Sequence, residues 1–368
     1  MGRILRGLRC LATTVSTARL MTLMGAVMGS VEDQPEAVDF PAWSTNRCSD
    51  FDLSGFTNAT TCGSPLSLPC FDLSRCRNGP TVYVYDEKCS LVDSNKIETR
   101  GRDVPFRYAA REAGLLADTY ESACFFIHVG TNNSFCIEPC STTAPLWNEG
   151  RNHVMYDIMD ESRDKRPSYS GSYAIEASTS QHTCYYRSGY DISLGHCPRV
   201  VFLELQSTPP DNRRYFLTFR GTLHLKYHGS EERASIRSLH NDTAGVVVVE
   251  KCPDNHEKWW PQLDETCSEL RPRYDAYNYQ RLMNSTFGLV PAGASPGTYR
   301  LAEASRQSNH LAAMSAGSIP VIVARDYVKP LTEDVDWSAF AFTFSPDEVP
   351  DMLRTLRAVQ PEELKQMQ

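Results

Sequence analysis

Two Rossmann-like α/β domains are the architecture that the sequence predicts, on three observations. The first half carries a β-branched strand, a helical stretch and an apolar strand in that order. The second half carries four short apolar strands, and a proline-rich break separates the halves. At 368 residues the chain has the length for two core-forming units.

In the first half, Thr81-Val82-Tyr83-Val84-Tyr85 has the β-branched and aromatic content of a strand, and Cys124 to Val129 is almost wholly apolar. Between them, Tyr108 to Thr119 reads as a helix. Strand, helix and fully apolar strand together predict a parallel sheet covered on both faces. In the second half the strands are Arg214–Phe219, Gly245–Val249, Phe287–Val290 and Ile319–Val323. Gaps of roughly 25–35 residues between most of them leave room for crossover helices. Thr208-Pro209-Pro210-Asp211 marks the linker, which sets the expected domains at 80–207 and 208–368. Residues 31–79, rich in Pro, Cys, Ser and Asn, read as an irregular lead-in.

Hydrophobic residues make up 41% and charged residues 22%, a globular composition. A formal charge of -8 and the lack of a basic tract in the body of the chain argue against a nucleic-acid partner. Residues 1–30 combine Arg3, Arg6, Arg9 and Arg19 with the apolar run Leu20 to Met28 and no acid, which reads as a signal peptide or a weak anchor. The run is short for a bilayer span, and a mitochondrial presequence shares its Arg-rich, acid-free character. Thirteen cysteines, most in polar surroundings, favour the oxidising lumen, with Cys70–Cys76 and Cys252–Cys267 as short candidate bridges. Cys-x-x-Cys pairs are missing, so zinc is not indicated. Sequons stand at Asn58, Asn132, Asn241 and Asn284.

The densest chemical cluster runs from Leu289 to Ala304. A strand ends at Pro291, a turn with Gly293 and Gly297 comes next, and a helix begins near Arg300. Helix N-termini at the carboxyl ends of parallel strands present unpaired N–H groups to anions, and a diphosphate would sit there. Arg300 would neutralise that diphosphate, and Glu303, three residues on, would accept ribose hydroxyls; an i,i+3 surface ion pair is the plainer alternative. Arg220 and Gly221 end another strand and suit phosphate or developing negative charge. In the first half, Trp147, Asn148, Arg151 and Asn152 offer an aromatic platform and polar groups for a sugar. Glu149, His153 and Asp191 are rival general bases among which local sequence does not choose.

The order and spacing of these segments resemble the exostosin family, in particular the N-terminal glycosyltransferase half of the heparan-sulfate copolymerases. The likeness is carried by Cys70 to Cys76, the Tyr83-Val84-Tyr85 strand, Trp147 to His153, Gly189 to Ser193 and Phe219-Arg220-Gly221. It continues through Asn284 to Gly293, Arg300 with Glu303, Ala316 to Ile322 and Asp336-Trp337-Ser338. The resemblance implies a GT-B fold, two facing Rossmann-like domains, the first holding a glycan acceptor and the second a UDP-sugar donor. It implies inversion in a single displacement, no metal and no cofactor, in the Golgi or endoplasmic reticulum lumen. Membrane association through the N-terminus and a homo- or heterodimer with a related transferase are open alternatives. The chain ends just past the first transferase half, so one sugar transfer is the expectation. Ser305 to Ala313 interrupts the family pattern behind Glu303. A helix lengthened by about nine residues would displace the downstream chain by ~13 Å, so the insert must loop out. A catalytically inactive, glycan-binding subunit that assists a partner transferase is the alternative function.

Overall fold

The structure, a computed structural model, describes residues 71–77, 79–85, 103–130, 146–157, 173–184, 186–195, 202–223, 229–253, 264–293, 296–298, 300–301 and 316–368. The leader, most of the lead-in, Glu303 and the Ser305–Ala313 insert lie outside the described residues. So do Asn58, Asn132 and Cys70. Two compact units divide the chain, the described residues through Leu194 forming the first and those from Gly195 the second.

The first unit orders β1 (Val82–Val84), α1 (Val104–Glu112), β2 (Phe125–Gly130), β3 (His153–Asp157), β4 (Ile175–Ser178) and β5 (Ile192–Ser193). Its strands pair in chain order, β1-β2-β3-β4-β5, all parallel. The helix begins and ends earlier than the Tyr108–Thr119 reading. Pro105 sits in its first turn, where no amide donor is needed. Buried Arg107 there pairs with Asp103 at 2.7 Å and donates to the Val84 carbonyl, which pins the helix start to the end of β1. Gly114, at φ +68°, comes just after the helix, in the left-handed region that glycine tolerates. One staple differs from expectation: Cys76 bonds Cys124, not Cys70, and ties the turn Leu73–Cys76 to the start of β2.

The second unit orders β6 (Tyr215–Thr222), α2 (Gly229–Arg237), β7 (Val246–Lys251), α3 (Asp264–Asp275), α4 (Tyr279–Leu282) and β8 (Ser285–Pro291). After these come β9 (Ile319–Val323), β10 (Phe342–Phe344), α5 (Val349–Ala358) and α6 (Pro361–Met367). Alternate side chains of the strands bury on opposite faces. Leu217, Phe219, Val246, Val248, Phe287 and Val321 pack against Ile236 of α2 and Met352 and Leu356 of α5. On the other face Val247 and Val249 meet Phe202, Leu282 and Met283. The Cys252–Cys267 bridge forms as expected and fastens the end of β7 to α3.

The sheet is parallel throughout, in the order β10-β9-β8-β6-β7. Counted from β6, this is the doubly wound order 2-1-3-4-5 read from the other edge, with its reversal between β6 and β8. Chain direction therefore diverges on either side of that strand pair. A crevice opens at such a point beyond the carboxyl ends of the two strands, and it is where open α/β sheets bind ligands.

Candidate functional site

The described residues among those expected to hold a donor gather at that switch point. Arg220 and Gly221 lie near the carboxyl end of β6, and Pro291 ends β8, with Ala292 and Gly293 just beyond it. Arg233 of α2 joins the two strand ends, donating from Nε to the Ala292 carbonyl at 3.0 Å and from Nη1 to the Thr222 carbonyl. The start of α2 is drawn in close, with the Gly229 amide donating to the Gly293 carbonyl at 2.7 Å. A Cβ on Gly229 would lie 2.1 Å from the Ala292 carbonyl oxygen, so only glycine permits the approach. Further on, the Arg300 amide donates to Thr298 Oγ1 at 3.4 Å as the chain turns helical.

Both guanidinium groups rest on aromatic faces. Arg220 lies 3.5 Å over the ring of Tyr274, and Arg300 lies 4.4 Å over Tyr279 and 5.7 Å from Phe219. An aromatic face orients a cation without cancelling its charge as a carboxylate would. Among the described residues no carboxylate pairs with Arg220, and its Nε is buried with no acceptor. A buried donor left so is costly unless an anion completes it. Gly221 has a packing role, because a Cβ there would meet the tip of the Phe219 ring at 2.3 Å. Its missing side chain gives room to the ring that flanks both Arg300 and Arg233. Glu303 lies outside the described residues, so its relation to Arg300 is not seen.

In the first unit the Trp147–His153 segment forms a turn of unusual backbone. Asn148, Glu149, Gly150 and Asn152 all have positive φ, at 41°, 58°, 85° and 63°. Left-handed geometry costs about 1 kcal/mol or more at a residue such as Glu, and such strain collects at functional sites. The turn is held at its centre, where the Tyr173 amide donates to the Glu149 carbonyl at 2.7 Å. Glu149 projects outward with 68% of its side chain exposed and pairs with Arg151 at 2.7 Å, while Arg151 stacks 4.1 Å over Tyr173. Trp147, half-buried, packs 4.8 Å from the ring of His153.

The other three candidates of the first unit are interior groups. Asn152 is buried and laces the Asp72 turn to β2, accepting from the Asp72 amide at 2.7 Å and donating to the Asp72 and Cys124 carbonyls. His153 is fully buried and stacked on Phe126, with its Nδ1 donating to the Arg151 carbonyl at 2.8 Å. That bond leaves Nε2 as the unprotonated nitrogen. Burial pulls its pKa down to about 4. Asp191 is buried with both oxygens engaged, accepting from the Glu176 amide and from the backbone and guanidinium of Arg187. Of the three rival bases, Glu149 alone presents a carboxylate at the surface.

Sequence reading missed Tyr274, Tyr279 and Arg233. The two tyrosines lie on helices remote in sequence from the Phe219-Arg220-Gly221 strand, and nothing local in their setting marks them as cation supports. Arg233 had a usable signal: it lies midway along the helix that follows the Phe219-Arg220-Gly221 strand, and such a helix sets out from the carboxyl edge of the sheet. In the first unit the cluster of Tyr85, His128 and His153 also went unread, since its members come from three separate strands or strand ends.

The fold and the cationic strand edge define the class: an α/β protein of two parallel five-stranded sheets with its candidate site at the switch point of the second. Residues 77–359 match the exostosin GT47 domain, and the chain belongs to this glycosyltransferase family. It is 28% identical over 314 residues to Exostosin-1 of Drosophila melanogaster, covering 78% of this chain and 40% of that protein. It is 27% identical to Exostosin-1a of Danio rerio, covering 84% of this chain and 42% of that one. Against the Exostosin-1 homolog of Caenorhabditis elegans, identity is 23%, with 81% of each chain covered. The chain thus spans about two fifths of the length of the fly and fish relatives. Among solved structures it is similar to an alpha,alpha-trehalose-phosphate synthase (UDP-forming) from Burkholderia vietnamiensis, with TM-score 0.34, 12% identity and 66% of each chain covered. It is also similar to MurG of Acinetobacter baumannii, with TM-score 0.31, 10% identity and coverage of 72% and 73%.

Proposed function

We propose that this glycosyltransferase moves a sugar from a UDP-type donor to a glycan hydroxyl, inverting the anomeric carbon in one displacement and using no metal. The observation that carries the reading is Arg220, a cation mounted on Tyr274 at the switch-point edge with a buried Nε that has no acceptor. A nucleoside diphosphate supplies the matching charge. As the bond from the anomeric carbon to the diphosphate breaks, negative charge grows on the leaving oxygen. Arg220 and Arg300, fixed in advance by their aromatic supports, stabilise that charge without reorganising.

The acceptor hydroxyl attacks from the opposite face of the sugar and must lose its proton. Glu149 suits this step better than His153 or Asp191, because its carboxylate is exposed and the other two are enclosed. Trp147 and Tyr173 beside it provide faces on which a sugar ring packs. The Cys76–Cys124 and Cys252–Cys267 disulfides fit a lumenal site of action in the secretory pathway.

Titration of the purified protein with UDP tests the donor half of this reading. Micromolar to millimolar affinity is expected, and R220A or R300A should weaken it about 10- to 100-fold, the value of one or two charge-assisted hydrogen bonds. Wild-type protein that ignores UDP would sink the proposal. For the base, E149Q should lower turnover with a panel of UDP-sugars while leaving UDP affinity unchanged.

A further inference from the structure

One face of the first sheet buries polar groups that its packing does not require. Tyr83, Tyr85, Phe126, His128 and His153 share that face, while Val82, Val84, Ile127 and Val154 alternate with them onto the other. The imidazole of His128 stacks 4.3 Å from the Tyr85 ring and lies 5.2 Å from the imidazole of His153. All three side chains are buried. Yet Tyr85 Oη, both ring nitrogens of His128 and His153 Nε2 have no hydrogen-bond partner among the described residues. Four such atoms in one place burden the fold unless a bound molecule completes them.

Trp147 covers this cluster. Its ring is 4.8 Å from His153 and 6.1 Å from His128, it packs as well against Met155 and Ala174, and it stays partly exposed. Asn148 and Glu149, directly after it, are the strained positions of the turn, so a rearrangement there moves the Trp147 ring.

We propose that Tyr85, His128 and His153 form a recessed subsite for the hydroxyl groups of an uncharged acceptor sugar, opened when Trp147 swings aside and packs on the sugar ring. This rests on the acceptor half of the glycosyltransferase reading and names the class of sugar that it takes. The three residues position the acceptor, and removal of its proton stays with the exposed Glu149.

The chemistry of the cluster selects hydroxyls. His153 Nδ1 is committed to the Arg151 carbonyl, so its Nε2 is a lone pair that accepts. A neutral His128 offers one N–H and one lone pair, and the Tyr85 hydroxyl both donates and accepts. Sugar hydroxyls also do both, so neighbouring hydroxyls on one ring can satisfy the set. A carboxylate or sulfate does not suit it. Burial lowers the pKa of both imidazoles and keeps them neutral. Arg75, whose charge reaches His153 and Tyr85, spends its guanidinium on the carbonyls of Ala123, Tyr120 and Glu121. An anion entering here would leave water with no cation free to pair it.

The test takes the full chain and the methyl β-glycosides of glucose, galactose, N-acetylglucosamine and xylose, with the glucuronide and galacturonide as charged counterparts, and reads binding by saturation-transfer NMR and tryptophan fluorescence. At least one neutral glycoside should bind in the millimolar range, more tightly than the uronides. H128L and Y85F should each weaken that binding about 5- to 10-fold. Both should also raise the melting temperature by a few degrees, because each removes unpartnered polar atoms from the interior. Y85F deletes one oxygen and keeps the ring, so it decides the matter if H128L packs badly. In turnover the loss should fall on acceptor KM more than on kcat. UDP affinity, measured in parallel, reports on the donor reading by itself: if wild type ignores UDP but shows this glycoside pattern, the donor reading fails and the subsite stands. Three results would overturn the subsite. They are wild type that binds no neutral glycoside at tens of millimolar, a uronide that binds as well as its neutral counterpart, and variants that gain stability with unchanged glycoside affinity, as ordered water alone in the cluster would give.

Discussion

At the residue scale, Gly221 answers to packing, since a Cβ there would meet the Phe219 ring at 2.3 Å. G221A therefore has to move an aromatic ring in the sheet core, and overpacking of that kind costs about 1–3 kcal/mol. Urea unfolding should show that loss. UDP titration should show weaker binding as well, because the displaced ring flanks Arg300. A variant that is destabilised but binds UDP normally would separate the ring from the site. His153 gives a second prediction. Buried and neutral, it has a pKa held near 4, so between its ordinary 6.5 and 4 the unfolded chain binds a proton that the folded chain refuses. Its contribution to stability is intact above pH 6.5 and is lost as pH falls toward 4. Neighbouring His128, pushed down by burial and by His153, acts in the same direction. From pH 7 to pH 4.5 the wild type should lose roughly 2–3 kcal/mol more than H153F, which keeps the stack on Phe126 and has no proton to refuse. Parallel slopes for the two proteins would show that His153 is not buried neutral. Sequence could place His153 beside Trp147 but not tell its depth, because burial depends on which strand face meets which, and that is set by partners far away in the chain.

At the element scale, the strands that sequence reading found are those whose burial on both faces leaves long apolar runs: β2, β6 to β9, and the aromatic β1. Those it missed are short or mixed. β5 has two residues, β10 is only partly buried, and β3 opens on a histidine. Their sheet membership comes from pairing, not from local pattern. Chain linkage between elements was equally hidden. Arg213, just before β6, donates from Nε to the Thr208 carbonyl and from its terminal nitrogens to the carbonyls of Leu205, Met283, Ala316 and Gly317. One guanidinium so fastens the entry segment, the end of α4 and the approach to β9. R213M, similar in length but with no donors, would leave buried carbonyls unpaired, and roughly 3–5 kcal/mol should be lost. Gly317 has φ +70°, and a Cβ on it would lie 2.9 Å from Arg213 Nη2, so G317A should destabilise through the same junction. The measurement is a double-mutant cycle: R213M and G317A together should cost clearly less than the sum of their separate losses. Strict additivity would show the junction is not shared.

At the scale of the whole molecule, each unit has a described staple, and the two staples close loops of different length. Cys76–Cys124 spans 48 residues of the first unit, and Cys252–Cys267 spans 15 residues of the second. If a crosslink acts mainly by restricting the unfolded chain, the longer loop is worth about 4 kcal/mol and the shorter about 3 kcal/mol. The difference is small beside the context of each bridge. The first joins the turn at Leu73–Cys76 to β2, where Asn152 also bonds the Asp72 backbone and the Cys124 carbonyl, so losing it loosens a segment that several contacts already hold. The second binds α3, the helix that carries Tyr274 beneath Arg220. Its loss should therefore reach the proposed donor site. The C76S/C124S pair is expected to lower stability in the first unit, read by amide exchange in β1 and β2, with UDP affinity unchanged. The C252S/C267S pair is expected to speed exchange in β7 and α3 and to weaken UDP binding several-fold, because Tyr274 no longer holds Arg220 in place. Equal loss of UDP affinity from both pairs would mean that the staples act on folding alone and that the support of Arg220 by α3 is not what prepares the site.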